Sequence, residues 1–238
     1  MKQERIQKII ANAGICSRRA AEKMIADKRV LINGKTAQIG QKASKNDILE
    51  VDGRKISLEP KSKIYLKFNK PKGYTCTNRK FEKEKNIFDI LNIEEKMIIV
   101  GRLDKNSHGL LILTNDGDLA QKITHPKYQI QKEYLVQIST DQSPKFIISQ
   151  FQKGIRSESD ILKADKMIHQ GNNKFLITLS QGKKRQIRRM FEALGTEVLD
   201  LQRIRIGNVL LNNLLIGKSQ KIEKGELEKL LKKIKIEK

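Results

Sequence analysis

Two short apolar runs, Met97–Val100 and Leu110–Thr114, constrain the middle of this chain more than any other feature. Each is rich in β-branched residues or leucine and bounded by glycine, so each reads as a buried strand. Between them lies a loop, Arg102-Leu103-Asp104-Lys105-Asn106-Ser107-His108, with Asp104 near its middle. Asn115-Asp116-Gly117 then closes the second strand with turn chemistry. An aspartate on a loop held by two buried strands occupies a position where catalytic groups are commonly carried. Arg102, two residues away, lies on the same side of an extended chain. Loop aspartates are more often turn residues or surface ion-pair partners, so the loop by itself leaves both readings open.

Charge narrows the partners. The 238 residues include 49 Lys and Arg against 27 Asp and Glu, a formal charge of +22. A compact chain so far from neutrality repels itself, and a polyanion relieves that repulsion. A composition rich in Lys and Ile explains part of the excess but not its clustering. Cys16 and Cys76 stand alone, which excludes a disulfide framework and a Cys-based zinc site and fits a reducing compartment. Residues 1–10 lack the core of a signal peptide, and no apolar run approaches a membrane span. The expectation is a cytoplasmic protein with no membrane partner, and monomeric by default.

The N-terminal segment reads as a compact unit. Ile6, Ile9, Ile10 and Ala13 form one helix face, and Gly14 ends that helix. Ser17 N-caps a second helix whose Ala21, Met24 and Ile25 face inward. Arg18 and Arg19 sit in its first turn, where they oppose the helix dipole and, beside free N–H groups, suit an anion. A solvated face explains them equally well. Val30–Ile32 with Asn33-Gly34, and Asp47–Val51 with Asp52-Gly53, read as hairpins. Residues 1–60 hold 13 Lys and Arg against 7 Asp and Glu. Residues 54–63, with Pro60, read as a linker.

From residue 61 onward a larger unit is expected. Ile64–Phe68 alternates as a strand, Asn69–Gly73 as a loop, residues 78–86 as a mobile charged loop and Ile87–Leu91 as a short helix. Asp118–Ile123 reads as a helix broken by His125-Pro126. Lys132–Ile138 alternates as a strand with Tyr134, Val136 and Ile138 on one face, where a core role for the tyrosine is the commoner reading. Gln150–Ile155 leads into an irregular region, and Phe175–Leu179 is a strand. Residues 181–190 carry five positive charges and no acid. A helix beginning near Arg185 buries Ile187, Met190, Phe191 and Leu194, and places Arg188 at the edge of that apolar face. Val198–Val209, with Arg203 and Arg205, reads as a strand with a basic edge, and Glu226–Lys238 as a helix. Gly217-Lys218-Ser219 lacks the earlier glycine of a phosphate loop, because residue 212 is Asn. With only His108, His125 and His169, a metal site or a His-based acid/base pair is not expected.

The run GRLDKNSHGLLILTNDGDLA, Gly101–Ala120, resembles the signature of the RsuA/RluB-type family of ribosomal RNA pseudouridine synthases. Ser17–Glu22 followed by Val30–Gly34 resembles the S4 RNA-binding module, with one departure: Lys28 stands where that module usually has glycine. A lysine in a left-handed conformation is strained, so the helix end is expected to differ there. The resemblance implies an α+β protein: a small S4-like RNA-binding domain over residues 1–60, then a mixed, mainly antiparallel-sheet pseudouridine synthase catalytic domain over 61–238. It makes Asp104 the catalytic residue, places Tyr134 against the target base and pairs Arg188 with Asp104. It further implies RNA contacts from Arg18, Arg19, Lys70, Arg102, Lys183, Lys184, Arg185 and Arg189, with no cofactor and no metal. The partner implied is ribosomal RNA, 23S favoured and 16S the alternative, or a ribosome assembly intermediate. Asp104 would either attack the substrate or remove a sugar proton. The competing classes are a non-catalytic rRNA-binding or assembly factor on the same fold, and a DNA-binding protein using the two N-terminal helices. The Asn-Gly hairpin and the second domain argue against the latter.

Overall fold

Ser17 nucleates the N-terminal unit: its Oγ accepts from the Ala20 N–H at 3.2 Å and opens the second helix. In the computed structural model, residues 3–44, 46–58, 62–77, 82–93 and 95–236 are described. They fall into two compact units. One is Met1–Lys63, to which the short segments Glu94–Lys96 and Asn115–Gly117 also belong; the other is the remainder from Ile64.

In the first unit, β1 (Glu4–Arg5), α1 (Ile6–Asn12) and α2 (Arg18–Ala26) precede β2 (Val30–Ile32), β3 (Lys35–Thr36), β4 (Lys42–Ala43), β5 (Leu49–Val51) and β6 (Arg54–Ile56). Ile6, Ile10, Ala21 and Ile25 of the helices pack on Val30, Ile32, Leu49 and Val51. The sheet order is β3-β2-β5-β6, and β1 pairs with β4. Both two-residue turns have positive φ at each position, Asn33 at 51° with Gly34 at 76°, and Asp52 at 51° with Gly53 at 74°. That is the hairpin geometry that matches strand twist. Two expectations need correction. Residues 54–56 are not linker but strand, paired along Val51↔Arg54 and Leu49↔Ile56; residues 59–61 lie outside the described residues. The end of α2 also keeps the form that the usual glycine would allow. Lys28 itself adopts φ 59°, and the Arg29 N–H reaches the Met24 carbonyl at 3.0 Å. Lys28→Gly is therefore expected to stabilise the protein by about 0.5–1 kcal/mol, read as a higher urea midpoint at unchanged slope.

The second unit is a nine-stranded mixed sheet. Its strands are β7 (Tyr65–Lys70), β8 (Ile98–Val100), β9 (His108–Thr114), β10 (Lys132–Ser139), β13 (Lys166–His169), β14 (Lys174–Leu179), β15 (Glu197–Ile206), β16 (Val209–Leu210) and β17 (Ser219–Lys221), with the hairpin β11 (Ile155–Ser157) and β12 (Asp160–Leu162) apart from it. The main order is β13-β14-β10-β15-β9-β7-β17, with β8 on β9 and β16 on β15. The β9–β15 pairing is parallel, through Gln202↔His108 and Arg203↔Gly109. Gly109 permits it. A Cβ there would lie 2.3 Å from the Arg203 carbonyl oxygen, and its φ is 100°.

The helices α3 (Gly117–Thr124), α4 (Pro144–Lys153), α5 (Gln186–Glu192) and α6 (Lys224–Ile236) cover the two faces. Phe151 of α4 and Phe191 of α5 join Phe68, Leu111, Val136 and Phe175 on one. Leu119 and Ile123 of α3 and Leu230 of α6 join Leu110, Ile112 and Val209 on the other. Among the described residues no helix is long and apolar enough to cross a membrane.

Several local expectations are overturned. Asn69 and Lys70 belong to β7, not to a loop. The region after Gln150–Ile155 is not irregular: it follows the helix α4, begun by Ser143, whose Oγ accepts from the Phe146 N–H, and by Pro144 in its first turn. β11, β12 and β13 follow it. Of the expected mobile loop 78–86, residues 78–81 lie outside the described residues, while Asn86 is buried and caps a 3-10 turn over Ile87–Asp89. β15 is central, and its Arg203 is 2 % exposed, so it offers no basic edge.

Candidate active site

The loop between β8 and β9 is held by buried cations. Lys70, at the end of β7, has no exposed surface. Its Nζ donates to the carbonyls of Ser107 at 2.7 Å, Pro71 at 3.0 Å, and Asp104 and Lys105 at 3.2 Å each. Four carbonyls exhaust the three protons of an ammonium, so Lys70 has none left for a phosphate. This corrects its expected role as an RNA contact. Burial pushes the Lys70 ammonium down to about 8, with the nearby Cys76 thiol and Asp104 carboxylate opposing that shift. Arg203 holds the outer strands: Nε donates to the Leu110 carbonyl at 2.8 Å and Nη2 to the Gly101 carbonyl at 2.6 Å. The Gly73 N–H, meeting the Lys105 carbonyl at 2.8 Å, ties in the segment after β7.

Asp104, half-buried on this loop, lines a cavity of about 1050 Å³ together with Tyr134, Lys132, Arg203, Leu179 and Ile187. Tyr134 is buried on β10, faces the same core as Val136 and Ile138, and also lines this cavity. A bulge brings the cationic wall together. Glu133 pairs with Arg205 and Tyr134 with Arg203, so β15 has one extra residue, Ile204, at that point. The extra residue puts Arg203 and Ile206 on one face despite their odd spacing.

Arg188 is placed differently from expectation. Its guanidinium donates to the Val198 and Asn106 carbonyls, each at 3.1 Å, and to Ser107 Oγ at 3.4 Å. Among the described residues it makes no hydrogen bond or ion pair with Asp104, and its Nε is buried without a partner. Burial lowers the Arg188 pKa, Arg185 adds to that, and the charges of Asp104 and Asp200 oppose it. Arg188 thus braces the loop through Asn106 and Ser107 and acts on Asp104 through space. Beside it, the Asp200 carboxylate accepts from His108 Nε2 at 3.0 Å and pairs with Lys72. Burial works against ionisation of Asp200, yet these two partners take its carboxyl below the usual range.

The basic residues divide into two groups. Lys183 pairs with Asp160 at 2.5 Å, and Arg189 donates to the Ser157 carbonyl at 2.7 Å and to Asp160 at 3.1 Å. Both fasten the β11–β12 hairpin; Arg189 spends its donors there, which corrects its expected role as a phosphate ligand, whereas Lys183 stays exposed and lines the cavity. Lys184, Arg185 and Arg102 are exposed and line the cavity. Arg18 and Arg19 are exposed in the first turn of α2, in the other unit. Sequence reasoning missed Lys132 and Arg203. Lys132 stands two residues before Tyr134 on an alternating strand, which was a usable signal, whereas Arg203 had none, because nothing local shows that β15 is central.

Among proteins of known family, the model for RNA pseudouridylate synthase matches residues 64–193, which include Asp104, Tyr134 and Arg188. The S4 domain model matches residues 4–49, which include Arg18 and Arg19. A protein of Aquifex aeolicus (strain VF5) named "Uncharacterized RNA pseudouridine synthase" is 38% identical over 242 residues, covering 98% of this chain and 96% of its own. The "Ribosomal large subunit pseudouridine synthase B" of Bacillus subtilis (strain 168) is 35% identical, covering 95% of each chain. A solved structure described as "Crystal structure of pseudouridylate synthase" superposes with a TM-score of 0.70 at 30% identity, covering 95% of this chain and 99% of that one.

Proposed function

This chain belongs to the RNA pseudouridylate synthase family, and from that premise we propose that it converts one uridine of ribosomal RNA to pseudouridine with Asp104 as the reacting carboxylate. The observation that carries the reading is the placement of Asp104: on a loop clamped by Lys70, at a cavity that also holds Tyr134. The reaction breaks the N1–C1′ bond and joins C5 to C1′. C5 loses a proton and N1 gains one, so the composition is unchanged and no second reactant enters. Asp104 either attacks the substrate covalently or takes a sugar proton; both routes use the same carboxylate at the same point. Tyr134 stacks on the base, which leaves its helix at a cost of a few kcal/mol. Arg188 positions the loop and adds positive charge behind it.

The S4 domain, with Arg18 and Arg19, docks the RNA, and Arg102, Lys184 and Arg185 meet its phosphates near the cavity. The name of the Bacillus subtilis relative supports the large subunit as the source, so 23S rRNA, free or in an assembly intermediate, is the proposed substrate of a cytoplasmic monomer. The division among the basic residues gives a test. Lys184→Ala is expected to reduce the slope of log K against log salt by about 0.7–0.9. Arg189→Ala leaves that slope unchanged and instead costs about 2 kcal/mol of stability through the freed hairpin.

Pseudouridine mapping of rRNA from cells lacking the protein tests the function directly. Loss of one large-subunit site, restored by the wild-type chain and not by Asp104→Ala, is the expected result. Persistence of every site, with no transcript modified in vitro, would leave an RNA-binding assembly factor instead.

A further inference from the structure

Among the described residues, four buried or half-buried cations stand at the Asp104 loop and cavity, and they differ in what their hydrogen bonds already do. Lys70 is saturated by backbone carbonyls. Arg188 and Arg203 each spend donors on backbone carbonyls. Lys132 is the exception. Among the described residues its one hydrogen bond is a long one, 3.5 Å from Nζ to the Ser180 carbonyl. An ammonium has three donors, and a contact at that length is a weak one. The half-buried side chain lines the same cavity as Asp104 and Tyr134.

We propose that Lys132 is a further catalytic residue, donating a hydrogen bond to a carbonyl oxygen of the flipped uracil. The inference rests on the reading of this cavity as the uridine site. When the N1–C1′ bond breaks by the route in which the base departs, its electron pair stays on the uracil and spreads onto O2 and O4. A cation already aimed at one of those oxygens stabilises this charge more than it stabilises the neutral ground state. No proton moves to or from Lys132. The base, not a phosphate, is the group it meets. Arg102, Lys184 and Arg185 are exposed and available to hydrated phosphates, whereas Lys132 lies half-buried beside the tyrosine.

The charged neighbours leave Lys132 poised. Burial pushes its ammonium down to about 8, Arg203 from β15 pushes the same way, and Asp165, ahead of β13, opposes them. Asp165 is itself held by the Ser180 hydroxyl at 3.1 Å. Activity that needs the charged form falls as pH rises through that value.

The experiment uses the full-length protein and an RNA that the wild type modifies. Lys132→Met is expected to lower the single-turnover rate at saturating enzyme about 100-fold, with RNA affinity, its salt slope and the melting temperature near wild type. Lys132→Arg keeps the charge, so it is expected to recover most of the rate. It is also expected to weaken the decline of kcat/KM above about pH 8. What remains belongs to Lys70, whose ammonium lies at a similar value. A Lys132→Met rate within threefold of wild type, or a salt slope reduced by about 0.7–0.9 with the saturated rate unchanged, overturns the proposal, the latter by marking a phosphate contact. If the wild type modifies no RNA at all, the uridine-site reading fails instead.

Discussion

Asp104→Asn is expected to leave no measurable pseudouridine formation, a fall of at least about 10,000-fold in single-turnover rate, while the protein stays folded and binds RNA. The substitution conserves volume and removes only the nucleophilic, proton-accepting oxygen. What holds the loop is not the carboxylate: Lys70 Nζ and the Ser107 N–H both donate to the Asp104 main-chain carbonyl, at 3.2 and 3.0 Å. Among the described residues the carboxylate makes no hydrogen bond and acts only through space on Lys70 and Arg188, so stability should change by less than about 1 kcal/mol. Tritium release from 5-tritiated uridine in the RNA, followed with a melting curve and a binding isotherm, checks all three quantities. Turnover within tenfold of wild type would show that another group reacts.

Lys70→Met should damage fold and activity together. Methionine fills nearly the same space but donates nothing, so the Asp104 and Lys105 carbonyls keep only the Ser107 and Gly73 N–H groups, and those of Ser107 and Pro71 lose the Lys70 ammonium. Each unpaired buried carbonyl costs about 1–3 kcal/mol, and relaxation of the loop recovers part of the sum, so a loss of about 3–5 kcal/mol is expected. The rate falls as well, because the reacting carboxylate is no longer held in place. The two substitutions are thus distinguishable: one loses activity at full stability, the other loses both.

Lys70 also carries a pH signature. Its ammonium lies at about 8 in the folded protein against an ordinary 10.5, so between those values the unfolded chain holds more protons than the folded one. Folding stability therefore rises with pH across that window, and the gain is lost as pH falls through about 8. Lys132, lowered in the same direction, adds a second contribution. Urea unfolding at a series of pH values should show a shallower rise in Lys70→Met than in wild type.

Much of the architecture was legible because it is local. Ser17, Gly14 and the Asn33-Gly34 turn act within four residues of themselves, through a cap, a positive φ and a hairpin register. The alternation of Lys132–Ile138 and the two apolar runs flanking Asp104 likewise state which faces are buried. The helix α4 was equally local, with Ser143, Pro144 and the Ile147, Phe151 spacing in plain view, although no helix was read there. Lys28 failed for a different reason. The strain of a left-handed lysine is about the size of a capping bond network, and the network wins.

The candidate site was only half legible. Asp104 and Tyr134 stand where their strands put them; the resemblance of Gly101–Ala120 to a known signature singled out Asp104, and that of Lys132–Val136 singled out Tyr134. The cations around them could not be sorted that way. Lys70, Lys132, Arg188, Arg189 and Arg203 are all basic residues beside apolar ones, and periodicity says nothing of what their charged ends meet. Lys70 finds its partners 34 to 37 residues along the chain, and Arg203 finds Gly101 and Leu110 across a parallel pairing that no short-range pattern announces. The sequence by itself thus determined the elements, the turns and the loop that presents Asp104, because these depend on dihedral preferences and burial within a few residues. Only the tertiary structure decided which cations brace that loop and which one still has hydrogen bonds to give. An ammonium or guanidinium is committed by the carbonyls that the tertiary fold brings within hydrogen-bond reach of it.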